Sequence, residues 1–283
     1  MSNFAKLNTN NLKMKQIKTL MVAALTLVMG VMMTSCLDSS DSPSIQYGYA
    51  RVHSMMGVYY FEDALGNTYT PTSASASKVD ASGFKASETN LAYIAFEYIE
   101  DETQQKTSEV VENQEFKIEL LGAQSIDGDG VVVAYGKEDM ETRAPETAPV
   151  GSLYFDNTWG AVKPSLFDLD AVLVPISFYL TNDNDKFKMH KLYLACDMEE
   201  VTEGDTELVF YLRHDRGEDE NASVVYSQWY GFDVREAVSS FVAKAGAVPT
   251  KLIIKAHESS SMTTEIPNEY KEYEIEYKMP DLN

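Results

Sequence analysis

Val172-Leu173-Val174-Pro175-Ile176-Ser177-Phe178-Tyr179-Leu180 carries no charge, and Met189-His190-Lys191-Leu192-Tyr193-Leu194-Ala195-Cys196 follows it after Thr181-Asn182-Asp183-Asn184-Asp185. Both runs are rich in aliphatic and aromatic residues and have strand length. The five residues between them are turn formers, so the unit reads as a hairpin. Pro175 has no N–H to give to a ladder, which predicts an edge strand or a bulge there. The same texture recurs downstream at Glu207 to His214, Ser223 to Gly231, Lys251 to His257 and Tyr270 to Tyr277. One helical pattern interrupts the series. Asp233 can cap it, Val234, Ala237, Val238, Phe241 and Val242 form one stripe, Gly246 can stop it, and Pro249 lies beyond. Residues 150–283 therefore read as a β-sandwich with one crossover helix.

Upstream, the strands are shorter. Gln46 to His53 and Met56 to Phe61 come first, Ala64-Leu65-Gly66-Asn67 turns the chain, and Thr68 to Pro71 returns. Ser73 to Glu88 is rich in Ser and Ala and reads as a loop with a helical turn. In Leu91 to Ile99, Ile94, Phe96 and Tyr98 share a face; in Glu115 to Leu121, Phe116, Ile118 and Leu120 do. Glu100 to Asn113 is a polar excursion. Asp127-Gly128-Asp129-Gly130 leads into Val131 to Tyr135. Residues 45–145 read as a small barrel, and Lys137 to Pro149 as a domain linker. The fold class expected is all-β, a small barrel followed by a sandwich, with no internal repeat.

The first segment has a different character. Lys6, Lys13, Lys15 and Lys18 precede the apolar run Leu20 to Met33, and Thr34-Ser35-Cys36 ends it with small residues. That is the charge, apolar stretch and small-residue cut of a secretory signal peptide over residues 1–35. The run is shorter than the roughly 20 residues of a membrane-spanning helix. Met14 is a more natural beginning than Met1. Met33-Thr34-Ser35-Cys36 resembles the lipobox of bacterial lipoproteins, with Met33 in place of the usual Leu. On that reading Cys36 takes a diacylglyceryl group on sulfur and an acyl chain on its amine, and residues 36–44 are a lipidated tether. Asp38 and Asp41 lie where acidic residues mark some anaerobes' lipoproteins for the outer face; a solvated tether explains them equally well.

Removal of residues 1–35 takes away four Lys and no acid, leaving 248 residues with 19 basic and 44 acidic side chains, a net of −25. Such a chain repels nucleic acid and anionic headgroups, so a lipid at Cys36 would have to supply the attachment to the membrane. Cys196 then has no partner for an intrachain disulfide, and its apolar surroundings suit a buried structural thiol.

The motifs that carry chemistry fail individually. His257-Glu258 opens like a zinc-protease motif, but Ser261 stands where the second His is required. His53, His190 and His214 have no ligand spacing, although a distant pair can meet in the fold. There is no nucleophile elbow and no Gly-rich phosphate loop. Asp183 with Asp185, and Asp127 with Asp129, begin like calcium loops. Leu194 fails at the closing position of the first; Val131 and Val133 occupy ligand positions of the second. Glu272, Glu274 and Glu276 alternate with Tyr273, Ile275 and Tyr277 and read as a solvated strand face. Trp159, Trp229 and Tyr230 could stack on sugars, but alternating aromatics in strands are more often core. No catalytic residue, metal site or cofactor is expected, and the ligand is unknown.

Val174 to Tyr179, Lys191 to Leu194, Leu208 to His214, and Tyr230-Gly231-Phe232-Asp233 leading into the helix, together with the lipobox and the order of the two β domains, resemble the NigD-like lipoproteins of Bacteroides-type anaerobes. The resemblance covers nearly the whole mature chain. It implies an N-terminal OB-like barrel, a C-terminal β-sandwich, an outer-membrane lipoprotein facing periplasm or exterior, and an association with a bacteriocin gene cluster in an immunity role. It carries no active site. The expected function is a non-enzymatic binding or accessory protein of the cell envelope. The alternatives are glycan capture at the surface, a fimbria-type subunit with Arg143 open to a trypsin-like protease, and a hydrolase with an unrecognised carboxylate pair. The expected partners are the membrane and a protein or glycan, with no nucleic acid.

Overall fold

The structure, a computed structural model, describes residues 45–99, 112–157 and 160–279. Chain residues Gln46–Met55 (β1), Val58–Glu62 (β2), Thr68–Pro71 (β3), Leu91–Tyr98 (β4) and Glu115–Ser125 (β5) close a barrel in the order β1-β2-β3-β5-β4. Alternation builds it: Ala50, Val52, Tyr59, Phe61, Ile94, Phe96, Ile118 and Leu120 point inward and are buried. Tyr98, expected inside, is 40% exposed at the barrel's rim. Ser73 to Glu88 is more ordered than a loop. Ser73–Ala81 is a helix (α1) capped by Thr72, whose hydroxyl accepts from the Ser75 amide at 3.1 Å. Its Val79, with Phe84 beyond it, plugs the barrel end.

Two turns fix the barrel's register. In the expected 64–67 turn, Asp63 accepts from the Leu65 and Asn67 amides, the Asn67 side chain and the Tyr69 hydroxyl. The β1–β2 turn is tighter. Met55 pairs with Val58, leaving only Met56 and Gly57 in the turn, both left-handed at φ 53° and 80°.

Val131 to Tyr135 does not belong to the barrel, contrary to the sequence reading. Five strands already close it, so the next strand has no free edge to join. Gly130–Ala134 (β6) instead pairs parallel with Lys191–Asp197 (β11) at the edge of the second domain. The supposed linker is likewise part of that domain. Lys137–Arg143 is a helix (α2), and Ala144, Ala148, Val150 and Leu153 after it are buried.

The second domain adds Phe155–Asn157 (β7), Gly160–Val162 (β8), Ser165–Asp168 (β9), Ala171–Leu180 (β10), Glu207–Asp215 (β12), Val224–Asp233 (β13), Lys251–Ala256 (β14) and Lys271–Glu276 (β15). A sheet β15-β14-β12-β11-β6 faces a smaller sheet β13-β10-β9. Between them lie Val174, Ile176, Phe178, Leu192, Leu194, Phe210, Leu212, Ile254 and Phe232. Pro175 sits in β10 beyond the last residue that β9 pairs, and a bulge falls between Ala171 and Val172, so its missing N–H leaves no gap in that pairing. The expected 181–185 turn contains a short helix, Asn184–Phe187 (α3), capped by Asp183. Arg235–Ala245 (α4) is the crossover helix; Ala237, Phe241 and Ala245 are buried, and left-handed Gly246 ends it at φ 86°. The molecule is thus all-β, an OB-like barrel plus a sandwich.

The two domains share a third core, in which Leu91 and Ile126 meet Phe167, Ala171 and Leu173, flanked by Tyr49, Tyr93 and Trp229. Arg51 of β1 binds Asp168 at 2.6 Å. At the joint the Gly231 amide donates to Ile126 O, and the Gly128 amide donates to Gly231 O. A Cβ on Gly231 would lie 2.5 Å from Leu91 Cδ1 and 3.1 Å from Leu91 Cβ, so a larger residue there requires the Leu91 side chain to shift.

Candidate functional site

Cys36, the residue on which the sequence reading places the lipid, lies outside the described residues, as do the tether and Trp159. Among the described residues no helix is long and apolar enough to cross a membrane.

The fold brings His190 and His214 together, a pairing that 24 residues of separation concealed. His190 Nδ1 lies 2.8 Å from His214 Nε2, and His190 Nε2 lies 3.1 Å from Asp219 Oδ2. Burial pushes the Asp219 pKa up, but the Thr181 hydroxyl and amide and the His190 ring outweigh it and bring it down to about 2. Asp219 is therefore ionised and only accepts, so His190 Nε2–H donates to it. His190 Nδ1 must then accept from His214 Nε2–H. Two neutral rings carry two hydrogens, and both are now used. His214 Nδ1, 3.2 Å from Pro149 O, makes a hydrogen bond there only when the pair takes up a third proton. Burial opposes that, lowering the His214 pKa to about 4 and lowering His190 as well. The side chains of His190 and Asp219 are 3% and 1% exposed, so substrate has no access. The cluster fastens the end of β10, the start of β11, the end of β12 and the loop after it.

A second buried set lies on the neighbouring strands. His257 Nδ1 meets Glu146 Oε1 at 2.9 Å, Arg213 Nη1 lies 3.8 Å from Glu146 Oε2, and the Arg213 Nε–H donates to Ala144 O. Tyr270 stacks on His257 at 3.8 Å. These contacts bind the 144–150 segment across the sheet end, where the Val150 amide also donates to His257 O. Glu258 accepts from the Leu153 amide, Lys271 and Tyr273. His53 is paired with Glu62 at 2.7 Å on the barrel surface.

The remaining candidates are structural in the same way. Asp127 accepts from the Asn90 and Leu91 amides, and Asp129 accepts from the Leu192 amide and Lys191 Nζ, so this pair joins strands. Lys251 and Lys255 bind Glu274 and Glu272 across β14 and β15. Cys196 is fully buried, and burial, with Asp197 nearby, pushes its thiol up to about 12. A groove of ≈ 300 Å³ is lined by Asp197, Glu200, Asp205 and Glu207. Three of these already accept hydrogen bonds, from Gly136, Tyr211 and Thr202 respectively.

Two surface features remain. On the barrel wall Tyr47 and Tyr93 are nearly parallel, 12° apart with centroids at 6.2 Å, and Tyr49 links them to Trp229. Trp229 Nε1 is buried with no hydrogen-bond partner among the described residues. At the β1–β2 turn, Met55, Met56 and Val58 are 74%, 96% and 70% exposed. Sequence reasoning passed over this tip because it was read as the join of two strands; its signal was an apolar pair where a two-residue turn prefers Asn-Gly.

No family model and no curated protein matches the chain. Solved structures do. A candidate lipoprotein of Bacteroides fragilis is similar with TM-score 0.67 and 25% identity, over 84% of this chain and 100% of that one. A Bacteroides vulgatus protein of unknown function shares the fold with TM-score 0.52 and 9% identity, over 84% and 93%. A NigD-like immunity protein of Bacteroides caccae is also a structural neighbour, with TM-score 0.48 and 10% identity, over 86% and 100%. The fold expected from the sequence, a small barrel followed by a sandwich, is borne out, and the Bacteroides fragilis protein shares it over its whole length.

Proposed function

We propose that this chain is an exported lipoprotein, anchored through Cys36 in the outer membrane, that works as a non-enzymatic binding or accessory protein of the cell envelope. The observation that carries this reading is the likeness to the Bacteroides fragilis lipoprotein, whose whole length the chain matches at 25% identity. The sequence adds the charge, apolar run and small residues that lead to Cys36. The buried polar clusters support the non-enzymatic part, since their contacts join strands and the side chains of His190 and Asp219 are shut off from solvent. The bacteriocin-immunity version of the role rests on the NigD-like layout. A deletion strain tests it: sensitivity to the cognate toxin should rise and return to normal on complementation. Unchanged sensitivity would remove the immunity version and leave the anchor untouched.

Glycan capture is the second reading, and the parallel Tyr47 and Tyr93 rings on the barrel wall favour it. Isothermal titration against envelope and dietary glycans should then show binding that Tyr47→Ala abolishes. Binding that survives the substitution would place any glycan site elsewhere.

A further inference from the structure

We propose that the tip of the β1–β2 hairpin is a second membrane contact, dipping into the headgroup layer of a zwitterionic bilayer. Met56 departs from local preference twice. It is a large apolar side chain 96% exposed, and its φ of 53° is one that Asn or Gly adopts more readily. Departures of this kind concentrate where a chain meets a partner. Met55 and Val58 flank it, 74% and 70% exposed. One layer behind, Tyr60 is 39% exposed and stacks on His53, so an amphipathic ring stands where headgroups would meet it.

Charge points the same way. With 44 acids in 283 residues, about three would fall in any twenty, yet residues 42–61 hold none. Of the two basic groups there, Arg51 is engaged by Asp168 and His53 lies 2.7 Å from Glu62, while Met55 to Tyr60 carry no charged side chain, so the turn itself is uncharged on an acidic molecule. A neutral apolar prong suits an uncharged lipid surface, while the acidic remainder is held away from anionic lipid.

Reach is sufficient. From Gln46 to Met55, β1 rises about 30 Å, and the ten steps from Cys36 to Gln46 extend to about 33–36 Å. An anchored Cys36 thus lets the barrel stand tip-down. This last point rests on lipidation of Cys36, whereas the tip's own affinity for lipid does not.

The test uses residues 37–283, which contain every element described, mixed with phosphatidylcholine–phosphatidylethanolamine vesicles in a flotation assay. The wild-type chain should float with the vesicles, and Met55→Ser/Met56→Asn/Val58→Thr should lower the partition coefficient at least tenfold while keeping its far-UV spectrum and melting temperature. Exchanging a third of the lipid for phosphatidylglycerol should weaken binding. A wild-type chain that does not float, or a variant that floats equally, overturns the proposal even if Cys36 proves to be lipidated. Photo-methionine at position 56 of the full chain in cells should cross-link to lipid; a cross-link to one protein would overturn the lipid assignment in favour of a protein partner.

Discussion

At the scale of single residues, the buried His190–His214–Asp219 chain makes stability depend on pH. His214 has a folded pKa of about 4 against 6.5 when unfolded, so the unfolded state binds more protons between these values. Stability is then full above pH 6.5 and falls as pH drops toward 4, by about 3 kcal/mol for a shift of this size. Asp219, ionised down to a pKa of about 2 against 3.8, adds a further loss below pH 3.8. Urea unfolding at successive pH values should show this decline, and His214→Asn should flatten the upper part of it. Parallel curves for the two chains would mean that His214 does not titrate on unfolding. Cys196 gives a second prediction. With its thiol fully buried and pushed up to about 12, iodoacetamide should label it only at the rate of global unfolding. Rapid labelling of the native chain would place Cys196 outside the core.

At the scale of elements, the joint between barrel and sandwich is where a small change should have a large effect. Gly231→Ala would set a Cβ 2.5 Å from Leu91 Cδ1 at the joint where Ile126 and Gly128 also bond. Overpacking of this kind costs about 1–3 kcal/mol. Leu91→Ala in the same chain should recover part of it, so the two effects on the unfolding free energy should be non-additive. Additive losses would show that the two residues do not meet. The joint was also the least legible element in the sequence. Period-two alternation exposed Ile94, Phe96, Ile118 and Leu120, and the apolar stripe ending at Gly246 marked the helix, although Val234 and not Asp233 stands at its N-cap. Alternation cannot say which sheet a strand joins. Val131 to Tyr135 follows the barrel strands closely in sequence, and barrel closure together with the bonds of Gly128 to Gly231 and of Asp129 to Leu192 and Lys191 sends it to the sandwich. The 144–150 segment looked like a linker because Pro and mixed charges suit one. Its Glu146 is instead buried against His257 and Arg213, contacts that span more than 60 residues.

At the scale of the whole molecule, the candidate sites divide by how far apart their residues lie in the chain. The anchor is contiguous, so the sequence displays it as one word ending at Cys36. The His190–His214–Asp219 cluster is assembled by β10, β11 and β12 and could not be read before the strands were in register. The hairpin tip is contiguous too, but its meaning depends on exposure, which composition does not reveal for Met55 and Met56. Together these features describe an acidic two-domain body with a lipid proposed at Cys36, before the barrel in sequence, and an apolar prong at the β1–β2 turn. The proposed lipid on Cys36 is what would hold this acidic body to a membrane. Intact-mass and N-terminal peptide analysis of the protein extracted from cell envelopes tests it most directly. A mature chain beginning at Cys36 and carrying a diacylglyceryl and an amide-linked acyl group is the result predicted. A chain that begins at any other residue, or an unmodified Cys36, would contradict it.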